Sequence, residues 1–329
     1  VSRPVVIVGA GPTGIACAVE LGKRGVEAVC YDRGGILDSI YHFPEEMRWF
    51  STRDLLDIAG VPFACPEAHP TRLEALSYYR GVAERFGVRV VAETRVDAIR
   101  LRPDGDLGVS AIGRSGPLET TAPAAILATG FFHNPRRLGV PGDGLPHVHS
   151  RYVSGYPFHG RDVVVVGGKN SAAEAALDLY RHGARVTLVH RGPAVSDRVK
   201  YWIRPDLENR IRAGAIRALF GTRVLEITPQ QVLVAAPSGR ESIAADAVFP
   251  LIGYEPDFDL FTRCGVRLEG PSRVPHHDPE TLESNVRGLY LAGAILGGAE
   301  IGHIFIENSR HHATRIASAI AARRDAVPA

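Results

Sequence analysis

Two stretches of this chain, VVIVGAGPTG at Val5 to Gly14 and VVVVGGKNSA at Val163 to Ala172, constrain its fold more than any other feature. Each is a run of β-branched residues that meets a turn of glycine and small residues and then a helix-patterned segment. Apolar residues without polar alternation suit a strand buried on both faces, as in parallel sheets covered by helices. The expected fold is therefore α/β, with two Rossmann-like dinucleotide-binding domains. At 329 residues the chain can bury two cores of ordinary domain size.

In the first stretch Gly9, Gly11 and Gly14 form G-x-G-x-x-G, with Pro12 and Thr13 opening the helix. Gly9 permits the tight turn, Gly11 lets backbone approach a pyrophosphate, and Gly14 lets helix and strand pack closely. Free N–H groups and the positive helix end then face the phosphates. A second apolar run, Val26 to Tyr31, ends at Asp32-Arg33, and Asp32 lies 18 residues past Gly14. That is close to the roughly 20 expected for the acid that accepts hydrogen bonds from ribose hydroxyls.

In the second stretch the turn is Gly167, Gly168, Lys169, Asn170, Ser171 and Ala172, and Lys169 must point away if phosphates are to come close. The following strand ends in His190-Arg191 rather than an acid. A carboxylate there would repel a 2′-phosphate, whereas Arg191 can grip it, with Arg198 or Lys200 adding a second contact. This asymmetry selects NADPH for the interior site. A stationary dinucleotide beside a mobile NADPH suggests FAD, since flavin accepts a hydride and passes electrons onward.

Composition agrees with an enzyme of small molecules. Hydrophobic content is 45%, charged content 22% and net charge +2, with no basic tract, which argues against nucleic acid or an anionic membrane as partner. The apolar start is broken by glycines and Pro12, so it reads as neither signal peptide nor membrane span, and a cytoplasmic location is the default. Cys17, Cys30, Cys65 and Cys264 are scattered, with no C-x-x-C and no metal-ligand spacing. They read as reduced thiols, and no metal is expected.

Ala125 to Gly130 reads AILATG and Gly288 to Ala294 reads GLYLAGA, two strands ending at small residues. Phe249 to Tyr254 reads FPLIGY. Leu37 to Pro70 is aromatic and proline-rich and reads as an ordered cofactor cover. Thr71 to Phe86 has the spacing Leu73, Leu76, Tyr79, Val82 of a helix capped by Thr71. Arg95 to Ile126 alternates as a β-meander turning at Pro103-Asp104-Gly105, and Asp197 to Ala213 reads as a helix.

This ordered set resembles the two-dinucleotide flavoprotein reductases of the thioredoxin-reductase branch. It is most similar to the bacillithiol disulfide reductase family, on DSIYHFPEEMRWFST (Asp38 to Thr52), ALSYYRGVAERFGVRV (Ala75 to Val90), GGKNSAAEAALDL (Gly167 to Leu179) and IFIENSRHHA (Ile304 to Ala313). The resemblance implies a discontinuous FAD domain, 1–136 and 249–329, interrupted by an NADPH domain, 137–248. It implies that Asp32 binds the adenosine ribose of FAD and that backbone at Val96 lines the adenine. Ala128, Thr129, Gly130, Gly293 and Ala294 would approach the flavin half, and Ser39, Tyr41 and Ser51 would lie in the segment covering it. A C-terminal helix carrying Ile306 and Glu307 would point its N-terminus at the flavin, and Gly253 would lie near the cofactors.

The implied activity is NADPH-dependent, FAD-mediated reduction of a small electron acceptor such as bacillithiol disulfide; a homo-oligomer is the separate expectation for its assembly. The chain departs from the family in one respect: members carry G-P-C-G in the first turn, where this chain has Thr13. His303, His311 and His312 read as surface or packing histidines. Two other readings stand beside the reductase: a flavin monooxygenase, whose F-x-G-x-x-x-H signature is missing before Val163, and a non-catalytic redox sensor that binds both cofactors.

Overall fold

Val5–Val8 is the middle strand of a five-stranded parallel sheet in the order Leu289–Leu291, Ala125–Leu127, Val5–Val8, Ala28–Tyr31, Arg89–Val91. Its four residues are all buried, as an uninterrupted apolar run in a covered sheet requires. Register sets Val6 opposite Ala125 on one side and Val5 opposite Ala28 on the other. These features come from a computed structural model, which describes residues 3–325.

The helix Pro12–Gly22 starts with proline in its first turn, where a missing N–H costs nothing, and buries Ile15, Ala16, Cys17, Val19 and Leu21. It packs against the last helix, His312–Asp325. The helix Arg72–Arg85 is closed by a capping box in which Thr71 Oγ1 accepts from Glu74 N at 3.2 Å and Glu74 accepts from Thr71 N at 2.7 Å. Its buried face is Ala75, Tyr79, Val82 and Ala83, whereas Leu73, expected on that face, is 62% exposed. Leu73 sits in the opening turn, before the helix reaches the core. The expected meander is a three-stranded antiparallel sheet, Arg95–Leu101, Leu107–Gly113 and Gly116–Ala122.

The interior of the chain forms a second parallel sheet, in the order Arg217–Leu219, Arg185–Val189, Asp162–Val166, Ala247–Pro250. It too has a three-stranded antiparallel companion, Arg223–Ile227, Gln231–Ala236 and Gly239–Ala244. The helix Asn170–Arg181 buries Ala172, Ala173, Ala175, Ala176, Leu177 and Leu179 against it.

Two compact units result. One runs to Phe43, resumes over Met47–Asn134 and takes the chain from Glu255 onward; the other comprises Pro135–Tyr254 with Pro44–Glu46. The second crossing thus falls six residues later than the sequence reading placed it (254 against 248), because Ala247–Pro250 pairs with Val163–Val166. The expected helix from Asp197 is helical only over Arg204–Arg212, begun by Pro205. Residues before it fold back on the interior glycine turn, with Lys200 N donating to Asn170 Oδ1 at 2.9 Å and Ser196 N to the Gly168 carbonyl at 3.2 Å. Among the described residues no helix is long and apolar enough to cross a membrane.

Candidate functional site

The first glycine turn is built from contacts that only glycine allows. Gly9 has φ +110°, and a Cβ there would stand 2.4 Å from the Ala128 carbonyl oxygen. A Cβ at Gly14 would stand 2.0 Å from the Gly9 carbonyl oxygen, whereas Gly11 has nothing within 4 Å and faces open space. The turn is therefore closed on its protein side and open where backbone could meet a phosphate.

Asp32 is tied to this turn. Its Oδ2 accepts from Ala10 N at 2.7 Å and its Oδ1 from Gly34 N at 2.9 Å. Burial raises the carboxyl above the usual range, the two backbone N–H groups pull it back, and Asp38 adds to the rise. Each oxygen has a lone pair left for an outside donor. Exposed Arg33 adjoins Asp32. Thr94 N donates to the Asp32 carbonyl at 2.7 Å, which brings buried Val96, at the start of its strand, close to the same corner.

After the strand Ala125–Leu127 come Ala128, packed on Gly9, then Thr129 and Gly130, whose φ is +61°. Thr129 Oγ1 is buried and has no hydrogen-bond partner among the described residues. A buried hydroxyl without a partner is costly, which suits a group that a cofactor would satisfy. The Asp38–Tyr41 helical turn is attached to the glycine turn by Leu37 N donating to the Ala10 carbonyl at 3.0 Å. Ser39 Oγ lies 3.2 Å from His133 Nε2, and Asp38 Oδ2 lies 3.3 Å from the same nitrogen. Both of these contacts are made to one ring nitrogen. Sequence reasoning missed His133; no periodic signal links it to a residue 94 positions away.

Gly293, with φ +83°, lies against Thr13: a Cβ there would be 3.0 Å from Thr13 Oγ1. Its N–H donates to His312 Nδ1 at 3.1 Å. His312, read as a surface or packing histidine, is a half-buried acceptor, with its pKa lowered to about 4 by burial first and by Arg315 next. Half-buried Ala294 follows Gly293 in a 3₁₀ turn.

Two expectations for this unit need correction. Ile306 and Glu307 do not open the C-terminal helix: Ile306–Ser309 is a single four-residue turn, separate from His312–Asp325. Glu307 accepts from Ser51 Oγ and Arg310 bonds Asp57, so both side chains pull toward the 51–57 loop, and a one-turn helix carries little dipole. His303 lies in a 3₁₀ turn before that break rather than in the last helix. Tyr41, in the segment expected to cover the flavin, is 61% exposed, which leaves that expectation open.

In the interior unit Gly167 approaches the Leu251 carbonyl, where a Cβ would stand at 2.5 Å, and Ala172 packs beside it. Lys169 caps the helix in extended conformation, and Ser171 is exposed in its first turn. The His190 ring fills the space a Cβ on Gly168 would occupy, at 2.3–2.5 Å, and its pKa is lowered by burial and then by Arg191. Arg191 and Arg198 are exposed and their guanidinium groups have no carboxylate partner among the described residues, while nearby Arg204 pairs with Asp197 and Glu208. Such exposed guanidinium groups are of the kind that can bind a phosphate. Gly253, φ +106°, accepts from Arg136 N at 2.9 Å where the chain leaves this unit.

The pyridine nucleotide-disulphide oxidoreductase family model matches residues 6–293. Bacilliredoxin reductase Bdr of Bacillus subtilis is 37% identical over 328 residues, covering 99% of this chain and 99% of that protein. The solved structure of bacillithiol disulfide reductase Bdr from Bacillus cereus matches with a TM-score of 0.95 at 37% identity, covering 98% of this chain and 100% of that one. Thioredoxin reductase of T. acidophilum, at 21% identity over 98% of both chains and a TM-score of 0.74, shares the fold. The resemblance expected from the motifs thus holds along the chain. The chain belongs to the pyridine nucleotide-disulphide oxidoreductase family and is an oxidoreductase that uses FAD and NADPH.

Proposed function

We propose that the enzyme takes electrons from NADPH through FAD and reduces a small disulfide of the bacillithiol disulfide class. The observation carrying this reading is the likeness to Bdr across 99% of both chains. When bound, FAD accepts a hydride from the nicotinamide and passes the electron pair on. On this reading the Gly9–Gly14 turn receives the FAD pyrophosphate, with Gly11 open toward it. Asp32, oriented by the Ala10 and Gly34 N–H groups, accepts from the adenosine ribose. The partnerless Thr129 hydroxyl donates toward the flavin half, beside Gly130 and Gly293. Arg191, with Arg198 and His190, grips the 2′-phosphate of NADPH at the Gly167–Ala172 turn.

The reading includes a cytoplasmic enzyme that works as a homo-oligomer. Four free cysteines suit a reducing compartment. Sedimentation of the purified holoenzyme tests the oligomeric state. The function is tested by anaerobic titration of the FAD-loaded protein with NADPH, followed by addition of bacillithiol disulfide. Flavin bleaching and then recovery, with two thiols released per NADPH, is expected. Flavin that stays oxidised under NADPH would instead favour the redox sensor, and an oxygenated product in air the monooxygenase.

A further inference from the structure

We propose that no cysteine of this chain takes part in the reduction: the electron pair reaches the acceptor disulfide with no enzyme sulfur in its path. The inference rests on the function proposed above. Thiol–disulfide exchange needs a thiolate that can reach a sulfur atom of the substrate, and the four thiols of this chain are unsuited to that task in two different ways.

Three are core residues. Cys17 is 0% exposed on the helix Pro12–Gly22, and burial, with Cys30 beside it, drives its pKa far up. Cys30, also 0% exposed, is pushed up to about 12 by burial and then by Asp32. Cys264, 3% exposed, is pushed up to about 11 by burial, and its Sγ accepts from Ile99 N at 3.3 Å. Burial thus keeps all three as protonated thiols at neutral pH and out of reach of a substrate sulfur. Cys65 alone is accessible, half-buried in a loop where its S–H donates to the Glu67 carbonyl at 3.1 Å. No second cysteine stands near it in sequence to resolve a mixed disulfide.

Where the helix Pro12–Gly22 opens on the first glycine turn and meets Gly293, the side chain is Thr13. A hydroxyl can donate a hydrogen bond there but cannot exchange with a disulfide. The balance closes without enzyme sulfur. NADPH supplies a hydride equivalent and water a proton; the substrate S–S bond breaks, two thiols leave and NADP⁺ remains.

The test uses the FAD-loaded holoenzyme in three forms: untreated, treated with iodoacetamide under native conditions, and carrying Cys65→Ser. Each is reduced with NADPH without oxygen and mixed with bacillithiol disulfide. Flavin reoxidation is followed, and acid-quenched samples are weighed intact. Reoxidation rates agreeing within about twofold and no bacillithiol adduct on the protein are expected. A loss of about tenfold or more on alkylation or in Cys65→Ser, or an adduct that forms and decays during turnover, overturns the inference and leaves the proposed function standing. Flavin that NADPH reduces but the disulfide does not reoxidise overturns both.

Discussion

The backbone N–H of Gly293 donates to Nδ1 of His312, so the imidazole must be neutral with its proton on Nε2. Burial, Arg315, His277 and His311 all disfavour a second proton and hold the pKa at about 4, against an ordinary 6.5. The folded state binds this proton less readily than the unfolded one. Its contribution is therefore complete above pH 6.5 and is lost as pH falls toward about 4. The loss is at most about 3 kcal/mol, less because part of the ring meets water. Urea unfolding across this range should show the decline. In His312→Asn, whose side-chain oxygen can accept from Gly293, the acid-side decline should be smaller; an unchanged slope would contradict the assignment.

Asp32 accepts two backbone N–H bonds, and this makes even a conservative substitution harmful. In Asp32→Asn the amide must turn its own N–H toward Ala10 or Gly34, leaving one donor facing another. A cost of about 1–3 kcal/mol is expected, with FAD retained at well under half the wild-type level. Flavin absorbance per chain after gel filtration, together with thermal unfolding, measures both.

Arg191 should set the choice of nicotinamide cofactor. Arg191→Ala is expected to lower kcat/KM for NADPH by roughly tenfold to a hundredfold and to leave NADH nearly unchanged. Arg198→Ala should act in the same direction with a smaller effect. Steady-state kinetics with both nucleotides decides it; an equal loss for both would show that Arg191 does not read the phosphate.

Gly9 and Gly11 should fail in different ways. Gly9→Ala places a methyl 2.4 Å from the Ala128 carbonyl oxygen at a φ that strains any side chain, so poor soluble yield is expected. Gly11→Ala meets nothing within 4 Å and should fold, while binding FAD about tenfold or more weakly. Circular dichroism and FAD titration of the two variants separate a turn needed by the fold from one needed by the ligand.

What the sequence disclosed was local. Both glycine turns, Asp32 and Arg191 occur within short spans whose spacing is fixed by backbone geometry, and the Thr71–Glu74 capping box is legible for the same reason. The contacts that escaped are those the fold makes between distant segments. Nothing near His133 announces Asp38 and Ser39, and nothing near His312 announces Gly293. The run from Ile306 reads as continuous helix because it contains no glycine or proline. Its break coincides with Glu307 and Arg310 bonding residues about 250 positions earlier in the chain, which no local pattern announces. Segment 197–203 likewise has helical composition, but its backbone is claimed by Asn170.

The edge strand Leu289–Leu291 pairs with Ala125–Leu127, so the outer sheet takes its last member from near the end of the chain. The interior sheet draws every strand from 162–250. During synthesis the inserted unit therefore has all its strands before the surrounding one does, and it can fold on the ribosome while its host still lacks an edge. A nascent chain arrested soon after Tyr254 has emerged should already protect the interior unit from protease, while the earlier-made residues around Val5–Val8 remain open to cleavage.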